Sequence, residues 1–207
     1  MSKLFFTSQG LGDMKSQANR EAVTAWACLP RIIFMEQNHS DLVAFLDESL
    51  INDPNHVVHA DAIVTNVRGV GLAVLSADCL PILVESDGVI AAIHAGRLGV
   101  ENGIISNTIN LMRNYSDSLM RAVIGPAICQ RCYEVSAQMY EEFVALHPHA
   151  QTTVQSHALD LKAEARYQLL SLGVEVVDTQ LCTQCGSDYY SYRGSKTAER
   201  IAGVVAL

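Results

Sequence analysis

With 207 residues, 49% of them hydrophobic and 17% charged, the chain has enough apolar material for one sizeable core, which excludes an intrinsically disordered segment. Fourteen basic and twenty-two acidic residues leave a net charge of −8, which argues against nucleic acid or an anionic membrane as partner. The most apolar region, Val70 to Val84, is interrupted by Asp78 and Pro81, and the run Leu4 to Phe6 is too short for a signal peptide. A cytoplasmic chain forming a single domain over residues 1–207 is therefore expected. In that compartment the six cysteines (28, 79, 129, 132, 182 and 185) are thiols, metal ligands or redox groups rather than a disulfide framework.

The predicted elements begin with a helix over Met14 to Cys28, followed after Pro30 by a strand, Arg31 to Glu36. Short Val- and Ile-rich runs at Ala62 to Thr65, Gly71 to Ser76, Leu80 to Glu85 and Val89 to Ile93 read as buried strands. Ile104, Ile105, Thr108, Leu111 and Met112 then fall at helical spacing, predicting a helix over Glu101 to Tyr115. A strand at Ala122 to Ile124 precedes helices at Ser136 to His147 and Leu159 to Leu172, the latter capped by Gly173. Strands at Val174 to Val177 and Ile201 to Ala206 complete a mixed α/β, or α+β, domain with central β-sheets flanked by helices.

Asp87-Gly88 between two apolar strands is a hairpin signal and predicts a two-residue type I′ turn. Pairing Ser86 with Val89 sets Pro81 opposite His94, and Cys79, two residues before Pro81, then shares that face. Cys79 and His94 become diagonal neighbours, with Cα atoms on the order of 7–8 Å apart. Zinc bonds of about 2.3 Å to sulfur and about 2.0 Å to nitrogen can bridge that gap. By the same alternation Asp78 is expected on the opposite face.

The segments Met35 to Ser40 (MEQNHS), Ala60 to Thr65 (ADAIVT), Ser76 to Pro81 (SADCLP), Ala92 to Gly96 (AIHAG), Ile124 to Val135 (IGPAICQRCYEV), Cys182-Thr183 and Ser191-Tyr192-Arg193 follow one another over nearly the whole chain. In this order they resemble the YfiH-like laccase-domain family. The resemblance implies a YfiH-like fold and a zinc-dependent enzyme of purine nucleosides, acting on adenosine, inosine or methylthioadenosine by phosphorolysis or deamination. It also implies a metal held by His39, Cys79 and His94, with a fourth position left open. Where the family commonly has HAGWRG, this chain reads HAGRLG, without the Trp and with the arginine one place early at Arg97.

Within that reading, zinc (with copper as the alternative ion) activates an oxygen for attack, and purine nucleoside and phosphate are the partners of a monomer or homodimer. Arg97, after a Gly-containing turn and beside the start of the Glu101 helix, is the candidate anion-binding cation. Gln37 is a candidate for a ribose or base edge, and Asn19 and Arg20 match an NR pair near the family's pocket. The alternatives are a cysteine hydrolase of peptidoglycan precursors, with Cys79 as nucleophile and His94 as base, a copper-dependent phenol oxidase, and a catalytically impaired zinc-binding member.

Cys129-Gln130-Arg131-Cys132 and Cys182-Thr183-Gln184-Cys185 form two CxxC pairs separated by 49 residues. Four thiolates so paired suit a structural zinc or a reversible disulfide, but the long separation favours unligated thiols. His56 and His59, after an Asp-Pro-Asn turn, are expected in a loop, and His147 and His149 are expected to be solvated around Pro148.

Overall fold

The computed structural model describes residues 2–53, 55–154 and 156–207. In chain order the elements are β1 (Lys3–Phe6), α1 (Gln17–Trp26), β2 (Arg31–Glu36), β3 (Val43–Phe45), α2 (Glu48–Asn52) and β4 (Val58–His59). The central apolar runs form β5 (Ala62–Thr65), β6 (Val70–Ser76), β7 (Leu80–Ser86) and β8 (Val89–Ala95). Then come α3 (Arg97–Asn102), α4 (Ile104–Arg113), β9 (Arg121–Ile124), α5 (Ala137–Leu146), α6 (Leu161–Ser171), β10 (Glu175–Asp178), α7 (Tyr192–Ser195) and β11 (Ile201–Ala206).

The strands form two mixed sheets, ordered β1-β11-β6-β2-β4 and β10-β9-β7-β8-β5-β3. Alternating side chains explain why whole strands are apolar. From one face of the six-stranded sheet, Ile63, Leu83, Ile90 and Ala92 meet Leu72, Val74 and Val205 of the other sheet. From its opposite face, Val64, Ile82, Val84, Ala91 and Ile93 pack against Ile104, Ile105 and Ile109 of α4 and Ala165 and Leu169 of α6. Val23 of α1 covers the outer face of the five-stranded sheet with Ile32, Ala73, Ala202 and Val204. The middle strands are thus buried on both faces, and truncating a fully buried isoleucine or leucine there to alanine costs about 2–5 kcal/mol.

The β7–β8 register is the expected one: Ser86 pairs with Val89 and Pro81 with His94. The turn itself differs, because Gly88 has φ 75° while Asp87 stays outside the left-handed region that a type I′ turn needs at both positions. The predicted helix over 101–115 is two helices, broken where Gly103 takes φ 91°. Helix α1 is shorter than the predicted Met14 to Cys28, starting at Gln17 and ending at Trp26, before Cys28 at φ 54°. His59 pairs with Glu36 in the short β2–β4 ladder rather than lying in a loop. The Asp-Pro-Asn turn expected before it includes Pro54 and lies outside the described residues. His147 is not solvated, since its Nδ1 lies 3.2 Å from Oε1 of buried Glu164.

This topology gathers chemistry at one end of the stacked sheets. Parallel β2 and β6 end there, β7 starts there, and antiparallel β5 and β8 bring Asp61 beside His94.

Candidate metal centre and cavity

His39, Cys79 and His94 converge, each offering one ligand atom within 4.8 Å of the others. His39 stands on the loop leaving β2, at φ 63°. Cys79 lies in the bend between β6 and β7 rather than on a strand, and His94 lies near the end of β8. The Cys79 Sγ to His39 Nε2 distance is 3.8 Å. Two ligands on one tetrahedral zinc, at about 2.3 Å for sulfur and about 2.0 Å for nitrogen, stand about 3.5 Å apart, so the donor set fits such an ion. A thiolate with two imidazoles suits zinc or copper rather than magnesium or calcium.

Fully buried Asp61 organises this set. Its Oδ1 is 2.7 Å from His94 Nδ1, which leaves Nε2 as the nitrogen able to bind a metal. The same carboxylate accepts the backbone N–H groups of Asn38, His39 and Ser40 at 3.2, 3.0 and 2.7 Å and the Ser40 hydroxyl at 2.7 Å. Three successive amides curled round one carboxylate hold His39 in its left-handed conformation, which costs an L residue about 1–2 kcal/mol. Burial pushes the Asp61 carboxyl up, but the bonds from His94 and Ser40 outweigh it and hold it well below the usual carboxylate range.

Burial likewise pushes the Cys79 thiol up, yet His39 and His94 outweigh it and bring the thiol from 9.0 down to about 6. His94 goes the other way: burial lowers it, but Asp61 and Cys79 raise it from 6.5 to about 9. Without metal, both shifts favour the thiolate beside an imidazolium. Gly96 makes room for the arrangement, since a Cβ there would lie 3.1 Å from His39 Cδ2 and 3.2 Å from Cys79 Sγ.

The three residues open onto a cavity of about 640 Å³. Arg20 and Gln37 line it as well, whereas Asn19 and Arg97 do not. Arg97 is tied to Glu101 at 2.8 Å, one turn along α3, and Asn19 donates to the Asp13 carbonyl. The Gln37 amide is spent at both ends on the Leu75 backbone, just beyond the β2–β6 ladder. Asp78 does line the cavity, contrary to strand alternation, because it sits in the bend at φ 97°. Its carboxylate accepts from Thr183 Oγ1 (2.6 Å), Ser191 Oγ (2.7 Å) and the Arg193 amide (2.6 Å). That clamp sets Arg193 in the wall, its guanidinium 5.2 Å from the Tyr133 ring centre.

A family model, the multi-copper polyphenol oxidoreductase laccase, matches residues 8–207. The chain belongs to that family. Two relatives of this laccase-family chain are a purine nucleoside phosphorylase of Corynebacterium glutamicum and one of Streptomyces coelicolor. The first is 39% identical over 98% of this chain and 88% of its own, the second 40% identical over 86% and 75%. The solved Neisseria meningitidis protein NMB0706 superposes with a TM-score of 0.81 at 29% identity, covering all of this chain and 93% of its own. Among the described residues, no helix of this family member is long and apolar enough to cross a membrane.

Tyr133, Lys15, Arg193 and Arg200 line the cavity and Asp61 underlies the cluster, none of them assigned a role by the sequence pattern. Asp61 alone left a signal, a carboxylate opening the otherwise apolar run ADAIV. The cavity-facing cations depend on distant loops meeting and left none.

Proposed function

We propose that the chain is a metal-dependent purine nucleoside phosphorylase acting on adenosine, inosine or methylthioadenosine with inorganic phosphate. The observation that carries this reading is the juxtaposition of the His39–Cys79–His94 set with a cavity walled by Arg20, Arg193, Arg200 and Lys15. On a chain of net charge −8, four cations on one concavity suit an anionic co-substrate. The volume falls within the range of small-ligand sites, roughly 300–1,000 Å³.

His39, Cys79 and His94 would hold zinc, which would supply a Lewis acid at the cavity. The reaction breaks the bond from C1′ to the purine nitrogen and forms one from C1′ to a phosphate oxygen. The base leaves with the electron pair and takes up a proton. Arg193, fixed through Asp78, and Arg20, whose guanidinium lies 4.1 Å over the Phe34 ring, hold phosphate beside the sugar. Burial and the nearby Cys79 charge push the Tyr133 phenol up, so it stays protonated and offers the substrate a hydrogen bond. Asp61 keeps the proton on His94 Nδ1 and thereby the orientation of the imidazole.

Phenol oxidation draws less support: among the described residues the remaining histidines join no metal-ligand cluster, whereas multi-copper chemistry needs several coupled ions. The test is incubation of metal-quantified protein with each nucleoside, with and without phosphate, resolving free base from deaminated nucleoside. Phosphate-dependent release of free base that stops on chelation is the expected result. Turnover that survives chelation and dies on thiol alkylation would replace this reading with a cysteine hydrolase, and release of ammonia with a deaminase.

A further inference from the structure

The long gap between the two CxxC pairs loses its significance once the fold is known. Strands β9 and β10 are parallel neighbours, Arg121 through Ile124 pairing with Glu175 through Asp178, with α5 and α6 in the crossover between them. Both strands therefore run out at the same end of the sheet, where Ala127 bridges Cys182 and backbone bonds join the following loops. The Cys132 and Tyr133 amides both bond the Cys129 carbonyl, a tight turn that sets the first two thiols side by side.

All four sulfurs, of Cys129, Cys132, Cys182 and Cys185, lie within 4.8 Å of one another. Cys132 to Cys185 is 3.5 Å and Cys129 to Cys185 is 3.7 Å. A tetrahedron of thiolates on zinc, with bonds of about 2.3 Å, has edges of about 3.8 Å. A disulfide pairs each sulfur with one partner at about 2.05 Å, whereas Cys185 here stands nearly equidistant from Cys129 and Cys132, as around a shared ion. Nor is this a packed apolar interior, since Cys185 is exposed and the other three are half-buried.

The geometry points to a second metal site, a closed four-cysteine zinc centre separate from the His39–Cys79–His94 set. Four protein ligands leave no open position, so its role is structural. It staples the loop carrying Tyr133 to the loop carrying Thr183, whose hydroxyl holds Asp78. Metal there fixes the cavity wall without touching the first cluster. The inference stands whether or not the chain cleaves nucleosides.

Metal content of the purified full chain, measured without chelator treatment, tests it. About two zinc equivalents per chain are expected, falling to about one in Cys79→Ser and to about one in Cys129→Ser/Cys185→Ser. In Cys79→Ser the remaining zinc should show a shell of four sulfurs at about 2.3 Å by X-ray absorption. Cobalt(II) titrated into the same variant should give intense sulfur-to-metal charge-transfer bands. These spectra stand even if the double-serine variant does not fold. One zinc in the intact chain and none in Cys79→Ser would overturn the proposal, as would a nitrogen or oxygen shell in that variant, or a disulfide among these four cysteines in peptides mapped from the non-reduced chain.

Discussion

Asp61 and His94, adjacent across the β5–β8 pairing, are joined twice: Asp61 Oδ1 to His94 Nδ1 at 2.7 Å, and the His94 amide to the Asp61 carbonyl at 2.7 Å. With both side chains buried, this contact is insulated from screening water and orients one ligand of the cluster. Through its remaining bonds Asp61 also sets the loop of a second ligand, His39.

Asp61→Asn keeps the size of the side chain but removes its charge and turns an amide donor toward other donors. Metal affinity is expected to fall by about 10–100-fold, measured by competition with a chromophoric chelator. Breaking the buried pair costs about 3–5 kcal/mol in chemical denaturation. Unchanged affinity would show that the histidines are held by packing alone.

The metal-free protein has a pH signature with opposed parts. Cys79, depressed from 9.0 to about 6, contributes stability present above pH 9.0 and lost as pH falls toward 6. His94, raised from 6.5 to about 9, contributes stability present below pH 6.5 and lost as pH rises toward 9. The two slopes nearly cancel between pH 6.5 and 9, so denaturation midpoints of the metal-free chain should be flat there. Cys79→Ser removes one slope and narrows the other, because Cys79 also helps raise His94; the part of that rise due to Asp61 remains, so stability should fall as pH rises above 6.5. Alkylation of Cys79 in the metal-free parent should be half-maximal near pH 6.

How much of this was legible depended on range along the chain. Cys79 and His94 could be paired from Asp87-Gly88 because a two-residue turn determines every pairing beyond it. The role of Asp61 required knowing that β5 lies beside β8, a partnership no local pattern encodes. Asp78 was misplaced because alternation was carried into a bend, where φ 97° turns the side chain to the cavity. The helix break at Gly103 leaves no mark in the apolar spacing, which begins only at Ile104. Linear spacing speaks against a four-cysteine convergence, whereas the β9–β10 crossover decides the distance in space.

Gly96 offers a test of tolerances within the cluster. Its φ of −73° suits any residue, so alanine brings no backbone strain, yet the added methyl meets His39 Cδ2 at 3.1 Å and Cys79 Sγ at 3.2 Å. The ligands must give by a few tenths of an ångström. Gly96→Ala should leave the thermal midpoint nearly unchanged while metal affinity and turnover fall by roughly tenfold or more. A large loss of stability with unaltered affinity would instead place the methyl's cost in the surrounding fold.

The arginines separate the cavity from its surroundings. Arg193 lines the wall and is held by Asp78, whereas Arg97 is engaged by Glu101 on α3. A charge-assisted bond to phosphate contributes about 1.5–3 kcal/mol, so Arg193→Ala should raise the phosphate KM by roughly tenfold or more. Arg193→Lys should recover only part of that, because a point charge replaces a two-pronged donor. Arg97→Ala removes a helix-surface pair that contributes about 0.3–0.5 kcal/mol and should leave the phosphate KM unchanged. Steady-state kinetics with phosphate varied at saturating nucleoside measures all three. A phosphate KM that responds to Arg97 and not to Arg193 would move the anion site out of the cavity and onto the start of α3.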